Sequence, residues 1–204
     1  MAKNYFSNRT DIAIERQLLA TKELIKFFRI HCGVYAYICY GTLLGSIRDN
    51  NVIPGDSDYD IAYLSKGTNL KEVREELIGI AKILIEHKLL LKIWVDGKGI
   101  LNPKVSDLNI NFLGQMHVKS PNSLALLDVF SSWITNNKYY LCPHIQGQLI
   151  KSDITPFISS KIRNINFVVP KNSEKLLENI YGNSWKIPSD KKSKNKRIWM
   201  SNYE

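Results

Sequence analysis

Apolar residues recur near the helical period over residues 11–31, at Ile14, Leu18, Leu19, Leu24, Ile25 and Phe28, which predicts an amphipathic helix with Thr10 as its cap. VYAYIC, residues 34–39, is rich in β-branched and aromatic side chains and predicts a buried strand entered through Gly33. A short helical turn then carries TLLGSIR. After the NN and PG turn signals, DYDIAYL, residues 58–64, alternates as a second strand with Asp58 and Asp60 on one face. NLKEVREELIGIAKILIEH is the strongest helical pattern, with Asn69 as its cap and an apolar face through Leu70, Val73, Leu77, Ile80, Ile83 and Leu84.

Three strand-like runs follow, LLLKIWV (89–95), DLNINFL (107–113) and LALLDVF (124–130), and the last holds one acid, Asp128, in an apolar setting. A less regular region contains YYLCPHI and FVVP, and the helix SEKLLENIY closes at Gly182. No internal repeat, heptad run or interdomain linker is visible. The pattern predicts an α+β chain: a mixed sheet of about five strands flanked by helices, with the acids on its exposed face. It forms a single domain over residues 1–188 followed by a basic tail, 189–204.

Composition agrees with that picture and narrows it. A chain of 204 residues with 44% apolar and 23% charged residues suits one soluble globular domain. MAKNYFSNRTDIAIER places charged residues where a signal peptide needs an apolar run, so a cytoplasmic protein is expected. Cys32, Cys39 and Cys142 offer neither a disulfide framework nor zinc-ligand spacing. The net charge of +9 suggests an anionic partner, and it admits peripheral association at the inner membrane surface. Part of that charge sits in KKSKNKR, residues 191–197, which reads as a solvated segment.

The chemistry concentrates in GTLLGSIRDNNVIPGDSDYDI, residues 41–61. Asp56, Asp58 and Asp60 imitate the first ligands of an EF-hand, but Ile61 stands where that loop needs glycine and Gly67 where it needs glutamate. Two carboxylates on one strand face repel each other unless a cation lies between them, and magnesium suits such oxygen ligands. Gly45 allows close backbone approach to a phosphate, Ser46 offers a hydroxyl and an N–H, and Arg48 can grip phosphate bidentately. Asp128 could ligate a metal or take a proton from an attacking hydroxyl. Read singly, an Asp-x-Asp turn is commonly a solvated capping motif; the combination with Gly-Ser and a later acidic strand favours a metal site.

Gly-Ser followed by Asp-Tyr-Asp-Ile resembles the signature of the nucleotidyltransferase superfamily, and YGTLLGSIRDNNVIPGDSDYDIAYL resembles the LicD/fukutin family of phosphotransferases. ITPFISS and FVVPKNSEKLLENIYGNSWKIP are similar to that family's closing region. The resemblance covers roughly residues 18–188 and implies a nucleotidyltransferase-like fold. It implies a magnesium-dependent enzyme, with one or two Mg2+ ions, that moves a phosphocholine or phosphopolyol group from a CDP-linked donor to a glycan or lipid-linked glycan acceptor. Carried over by residue, Gly41, Thr42 and Gly45 shape the donor loop and Arg48 contacts donor phosphate. Asp58 and Asp60 are the implied magnesium ligands, Asp56 an additional acid, and Asp128 the acid of the later strand, a base or a ligand to a second ion. The chain departs from the family pattern at Asp49, Gly55 and Ser57, where a basic residue, a tryptophan and an acid are usual.

Two rival readings remain. The same fold could transfer a nucleoside monophosphate to a small acceptor. A basic nucleic-acid-binding or scaffolding protein would need recognition motifs that are not visible, so no nucleic-acid partner is expected. Tyr181 and Trp185 read as packing anchors and His144 as an ordinary histidine. His31, His87 and His117 have no metal-ligand spacing.

Overall fold

The computed structural model describes residues 10–188 apart from 57, 96–97 and 109–111. The predicted basic tail, residues 189–204, lies outside the described residues.

The first predicted helix forms as α1 (Asp11–Phe27), and the Thr10 side chain accepts from the Ala13 N–H at 3.3 Å as its cap. The chain continues through a wider turn, Phe28–Cys32, and Gly33 ends it at φ 68°, a left-handed conformation that glycine adopts without a Cβ penalty. Leu18, Leu24 and Phe28 reach the core as the periodicity requires, but Leu19 is 47% exposed. The buried positions Leu18, Ala20, Thr21, Leu24 and Phe27 occupy one half of the helix, and the step of about 100° from Leu18 puts Leu19 on the other half.

Strand β1 (Tyr35–Ile38) leads into the short helix α2 (Tyr40–Leu44) and a further turn, Gly45–Asp49. Strand β2 is Asp60–Leu64. The expected strand over 58–64 is thereby shortened: Asp58 and Tyr59 precede the ladder, and Ser57 lies outside the described residues. The second predicted helix is α3 (Leu70–Glu86), where Asn69 Oδ1 accepts from the Glu72 N–H at 3.1 Å and Val73, Leu77, Ile80 and Leu84 are buried.

Strands β3 (Leu90–Val95), β4 (Lys98–Leu101), β5 (Phe112–Lys119), β6 (Leu126–Thr135), β7 (Lys138–Leu141) and β8 (Ile145–Ile150) follow. Of the strand expected over 107–113, residues 109–111 lie outside the described residues, Phe112 and Leu113 open β5, and Asp107 belongs to a 3₁₀ turn, where its Oδ2 accepts from the Lys104 N–H at 2.7 Å. Helix α4 (Lys151–Ile154), a hairpin of β9 (Ile158–Ile162) and β10 (Ile165–Val169), and α5 (Ser173–Tyr181) complete the described chain.

Among the described residues the sheet has eight strands where about five were expected. Its order is β1-β2-β6-β5-β3-β4, with β7 beside β6 and β8 beside β7, and β9 and β10 form a separate pair. Four-residue strands such as β4 and β7 are too short to print an alternation that stands out from a loop. Strand β6 runs past the predicted end at 130 because Ser131 and Ser132 are buried polar residues that interrupt its apolar signal. Ser132 Oγ lies 2.7 Å from Tyr63 O, to which it donates, and it accepts from the Tyr37 hydroxyl at 2.8 Å.

Among the described residues every strand pair is antiparallel except β2 and β6, which run parallel with Asp60 opposite Asp128, Ile61 opposite Val129 and Ala62 opposite Phe130. The sheet therefore mixes both pairings with helices, the α+β architecture expected. That parallel pair positions the site, because it brings two acids from distant parts of the chain side by side at the same end of neighbouring strands.

Candidate active site

Strand alternation sends Tyr59 and Ile61 into the core, where they are 3% and 0% exposed, and turns Asp60 the other way. Parallel neighbours lie about 4.8 Å apart, so the register of Asp60 with Asp128 makes their side chains adjacent. The backbone reinforces this alignment on both sides, with Cys39 N donating to Asp60 O at 3.1 Å and Asp128 N to Tyr59 O at 3.0 Å. Asp60 is buried, whereas Asp128 is half-buried rather than fully enclosed as its apolar neighbours in sequence suggest.

The turn before β2 delivers the other two acids. Asp56 N donates to Ile53 O at 3.0 Å, and Gly55 holds φ 74°, so Ile53-Pro54-Gly55-Asp56 closes a tight turn with proline and glycine in the positions that favour it. The unusual Gly55 stands exposed, and nothing lies within 4 Å of where its Cβ would be. Asp56 is turned back over Gly41: a Cβ on Gly41 would meet Asp56 Oδ2 at 2.6 Å and Asp60 Oδ2 at 3.3 Å. Gly41 N also donates to Asp60 Oδ2 at 2.9 Å, and Thr42 Oγ1 accepts from the Asp60 N–H at 2.8 Å. Gly41 and Thr42 thus bind the start of β2 to the start of α2.

All four acids line one cavity of ≈ 90 Å³, together with Tyr40, Gly41, Gln115 of β5, Phe130 of β6, Pro143 and His144 of the turn between β7 and β8, and Tyr181 of α5. A smaller recess beside it shares Gly41, Asp56 and Asp58 and adds Thr42. Among the described residues that line the cavity there is no lysine or arginine. Among the described residues, too, no group of three or more His, Cys, Asp or Glu side chains is arranged, as it stands, to hold a metal ion.

The remaining sequence candidates lie elsewhere. A Cβ on Gly45 would meet Asn51 O at 2.4 Å and Ile53 N at 3.3 Å, so this glycine lets the loop carrying Asp56 pack on the end of α2. The buried Ser46 hydroxyl lies 2.9 Å from Ser160 Oγ and 3.0 Å from Lys161 O, which ties the turn after α2 to β9. Arg48 forms a bidentate pair with its neighbour Asp49, Nε to Oδ1 at 2.9 Å and Nη2 to Oδ2 at 2.8 Å. That hydrogen-bonded carboxylate raises the guanidinium's already high pKa. Gly45, Ser46 and Arg48 are not among the residues lining the acidic cavity.

Several residues without an assigned role meet the acids instead. His117 Nε2 lies 2.9 Å from Asp128 Oδ1, and Gln115 Nε2 donates to Asp128 Oδ2 at 3.2 Å. Both come from β5, whose antiparallel register sets His117 opposite Asp128 and Gln115 opposite Phe130. His144 and Tyr181 line the cavity as well. The His144 ring packs edge-on against Tyr40 with centroids 5.3 Å apart, and Tyr40 donates its hydroxyl to Cys142 O at 2.5 Å. Burial, joined by the negative charges of Asp60 and Asp56, pushes the Tyr181 phenol far above its ordinary value, so it remains a neutral O–H donor. The sequence signal for His117 and Gln115 was available only through pairing: their spacing of two places them on one face of whichever strand neighbours Asp128.

The frame of the site is thus an α+β fold whose parallel pair brings two acids into one cavity beside Gly41 in the first turn of α2. The chain belongs to the LicD/FKTN/FKRP family: the model of that family's nucleotidyltransferase domain matches residues 33–172. The match spans the first block of resemblance whole and the closing block only as far as residue 172, so residues 18–32 and 173–188 of the expected range lie outside it. This membership supports a phosphotransferase-type role in cell-surface glycan modification, as a transferase. A comparison with curated proteins returned no match.

Proposed function

We propose that the chain moves a phosphocholine or phosphopolyol group, such as ribitol or glycerol phosphate, from a CDP-linked donor to a glycan hydroxyl of a cell-surface polysaccharide or teichoic-acid-like polymer. The observation that carries this reading is the convergence of Asp56, Asp58, Asp60 and Asp128 on one cavity that no lysine or arginine among the described residues lines. Four carboxylates and a pyrophosphate cannot share that space without a cation.

The donor set is all hard oxygen, and Asp56 Oδ2 and Asp60 Oδ2 converge where a Gly41 Cβ would stand, so the residues fit magnesium, as one or two ions. Asp58 and Asp60 would hold the first ion with Asp56 beside them, and Asp128 would be the ligand to a second only as the alternative to acting as base. When bound, the metal supplies neutralisation of charge developing on the phosphoryl and leaving-group oxygens.

The chain's own residues do the rest. Asp128 accepts the proton of the acceptor hydroxyl, and its carboxylate is held in one orientation by His117 and Gln115. The acceptor oxygen bonds to the phosphorus that carries choline or polyol; the bond from that phosphorus to cytidine monophosphate breaks, and the nucleotide leaves with the electron pair. Tyr181 and His144 are placed to donate to phosphate oxygens. Arg48 holds Asp49 through Nε and Nη2, so a bidentate grip on phosphate along that edge requires exchanging its Asp49 partner. Gly41, Thr42 and Gly45 act through the shape of the wall, and Ser46 through the fold.

Product analysis tests the reaction. With magnesium, a CDP-linked donor and a glycan acceptor, free cytidine monophosphate should appear in step with phosphodiester on the glycan. Cytidine monophosphate found attached to the acceptor would instead establish nucleotidyl transfer, the reaction for which the family's domain is named.

A further inference from the structure

A second concavity lies apart from the acids. It is a groove of ≈ 610 Å³ between α1 and the neighbouring β1 and β10, within the size range of lipid and small-molecule sites, and it shares no lining residue with the acidic cavity. Its floor is apolar, formed by Leu19, Ile25, Tyr35, Ala36, Phe167 and Val168. Leu19 and Tyr35 are 47% and 53% exposed, so this face of α1 has no protein partner among the described residues that covers it. Leu19 is the apolar residue that the helical period left outside the core stripe.

The rim decides what fits. Lys22 and Lys26 of α1 and Arg29 of the turn that continues it follow Leu19 at helical spacing, all exposed, and form one basic stripe along the groove. The Arg29 guanidinium lies 3.7 Å from the centroid of the Tyr35 ring, which fixes a positive charge at the groove's mouth. One acid, Glu23, is among the described lining residues, and Ser120 Oγ lies 3.5 Å from its Oε2. An apolar partner helix gains nothing from three rim cations. An amphiphile with a hydrocarbon chain and an anionic headgroup satisfies both parts.

We propose that this groove docks the protein on an anionic phospholipid surface, one acyl chain entering beside Leu19, Ile25 and Phe167 while Lys22, Lys26 and Arg29 meet the headgroup phosphates. One buried chain or a few surface cations alone bind weakly; together they give reversible peripheral association. No described helix is long and apolar enough to cross a membrane. The proposal does not depend on the transfer reaction, and its test reads no turnover.

The test is cosedimentation of the full chain with vesicles of phosphatidylcholine alone or mixed with phosphatidylglycerol. Four chains are compared: the natural sequence; a Lys22→Gln, Lys26→Gln, Arg29→Gln variant; Leu19→Asp; and a tail variant with Lys191, Lys192, Lys194, Lys196 and Arg197 changed to Gln. The substituted groove residues are exposed, and thermal melting confirms that each variant is folded. The natural chain should bind the mixed vesicles at least roughly tenfold more tightly than the neutral ones, since each surface cation adds attraction to an anionic leaflet. Both groove variants should lose at least about tenfold of that binding, and the tail variant should keep most of it. Equal binding to both vesicles, natural binding by either groove variant, or loss of binding from the tail substitutions alone would overturn the proposal.

Discussion

At the scale of single residues, the acids owe their arrangement to what surrounds them. Asp58 is exposed and outside the strand ladder, so its carboxylate contributes little to folding while lining the cavity. Asp58→Ala should lower transfer by at least roughly 100-fold, as loss of an electrostatic stabiliser does, and change unfolding free energy by no more than about 0.5 kcal/mol. Paired turnover and denaturant titrations check it; near-normal turnover would remove Asp58 from the metal set. Gly41 has the opposite character, since its lack of a side chain is what admits Asp56 Oδ2. Gly41→Ala should leave the chain folded but displace the tip of Asp56, and a magnesium titration of activity should then require at least several-fold more metal. Sequence alone left Asp56 as the least certain acid; the Pro54-Gly55 turn settles its direction by aiming it over Gly41. Ser46 and Arg48, expected from sequence at the donor phosphate, are hydrogen-bonded within the chain to Ser160, Lys161 and Asp49. A hydroxyl or a guanidinium looks the same in sequence whether its partner is a phosphate or another part of the chain.

At the scale of elements, the three longer helices were legible because each carries both its period and a cap: Thr10, Asn69 and Asn172 all accept from an N–H three residues on, whereas the four-residue α4 has neither such a period nor such a cap and was not expected. Helix α5 matters most to the site, because it ends on Tyr181. Its anchor is Asp153 in α4, which accepts from Lys175 Nζ at 2.9 Å and from Ile150 N at 3.1 Å. Burial acts to raise the Asp153 pKa, but the Lys175 ammonium and the Ile150 N–H outweigh it and hold the carboxyl below its ordinary 3.8. A carboxyl depressed by folding stabilises fully above its unfolded value and loses that contribution as pH falls through the folded value. Asp153→Asn should therefore cost about 1.5–3 kcal/mol at neutral pH, the worth of hydrogen bonds to a charged group. The gap from the natural chain should narrow below pH 3.8, and urea unfolding at several pH values reads it. Strands were less legible. The pieces of four residues left too little alternation, and the buried serines of β6 hid half of a ten-residue strand.

At the scale of the whole molecule, the acidic cavity and the basic remainder of a +9 chain are complementary parts of one charge distribution. Magnesium with a CDP-linked donor should raise the melting temperature, and neither should do so fully alone, because each neutralises what repels the other. At a ligand concentration of 100 times Kd the stabilisation is about 2.7 kcal/mol, and a panel of donors read by thermal shift would rank the transferred group. A shift equal for metal with and without donor would argue against a shared site. The sequence by itself determined the helices, the α+β class, the family signature and which residue types could hold a cation, because periodicity, caps and motif spacing are local. The tertiary structure alone decided that β2 and β6 run parallel with Asp60 facing Asp128, that β5 supplies His117 and Gln115, and that Leu19 opens onto a basic-rimmed groove. Those facts depend on strand register and on which face of an element finds a partner. Both are set by packing between segments far apart in the chain, which local pattern does not encode.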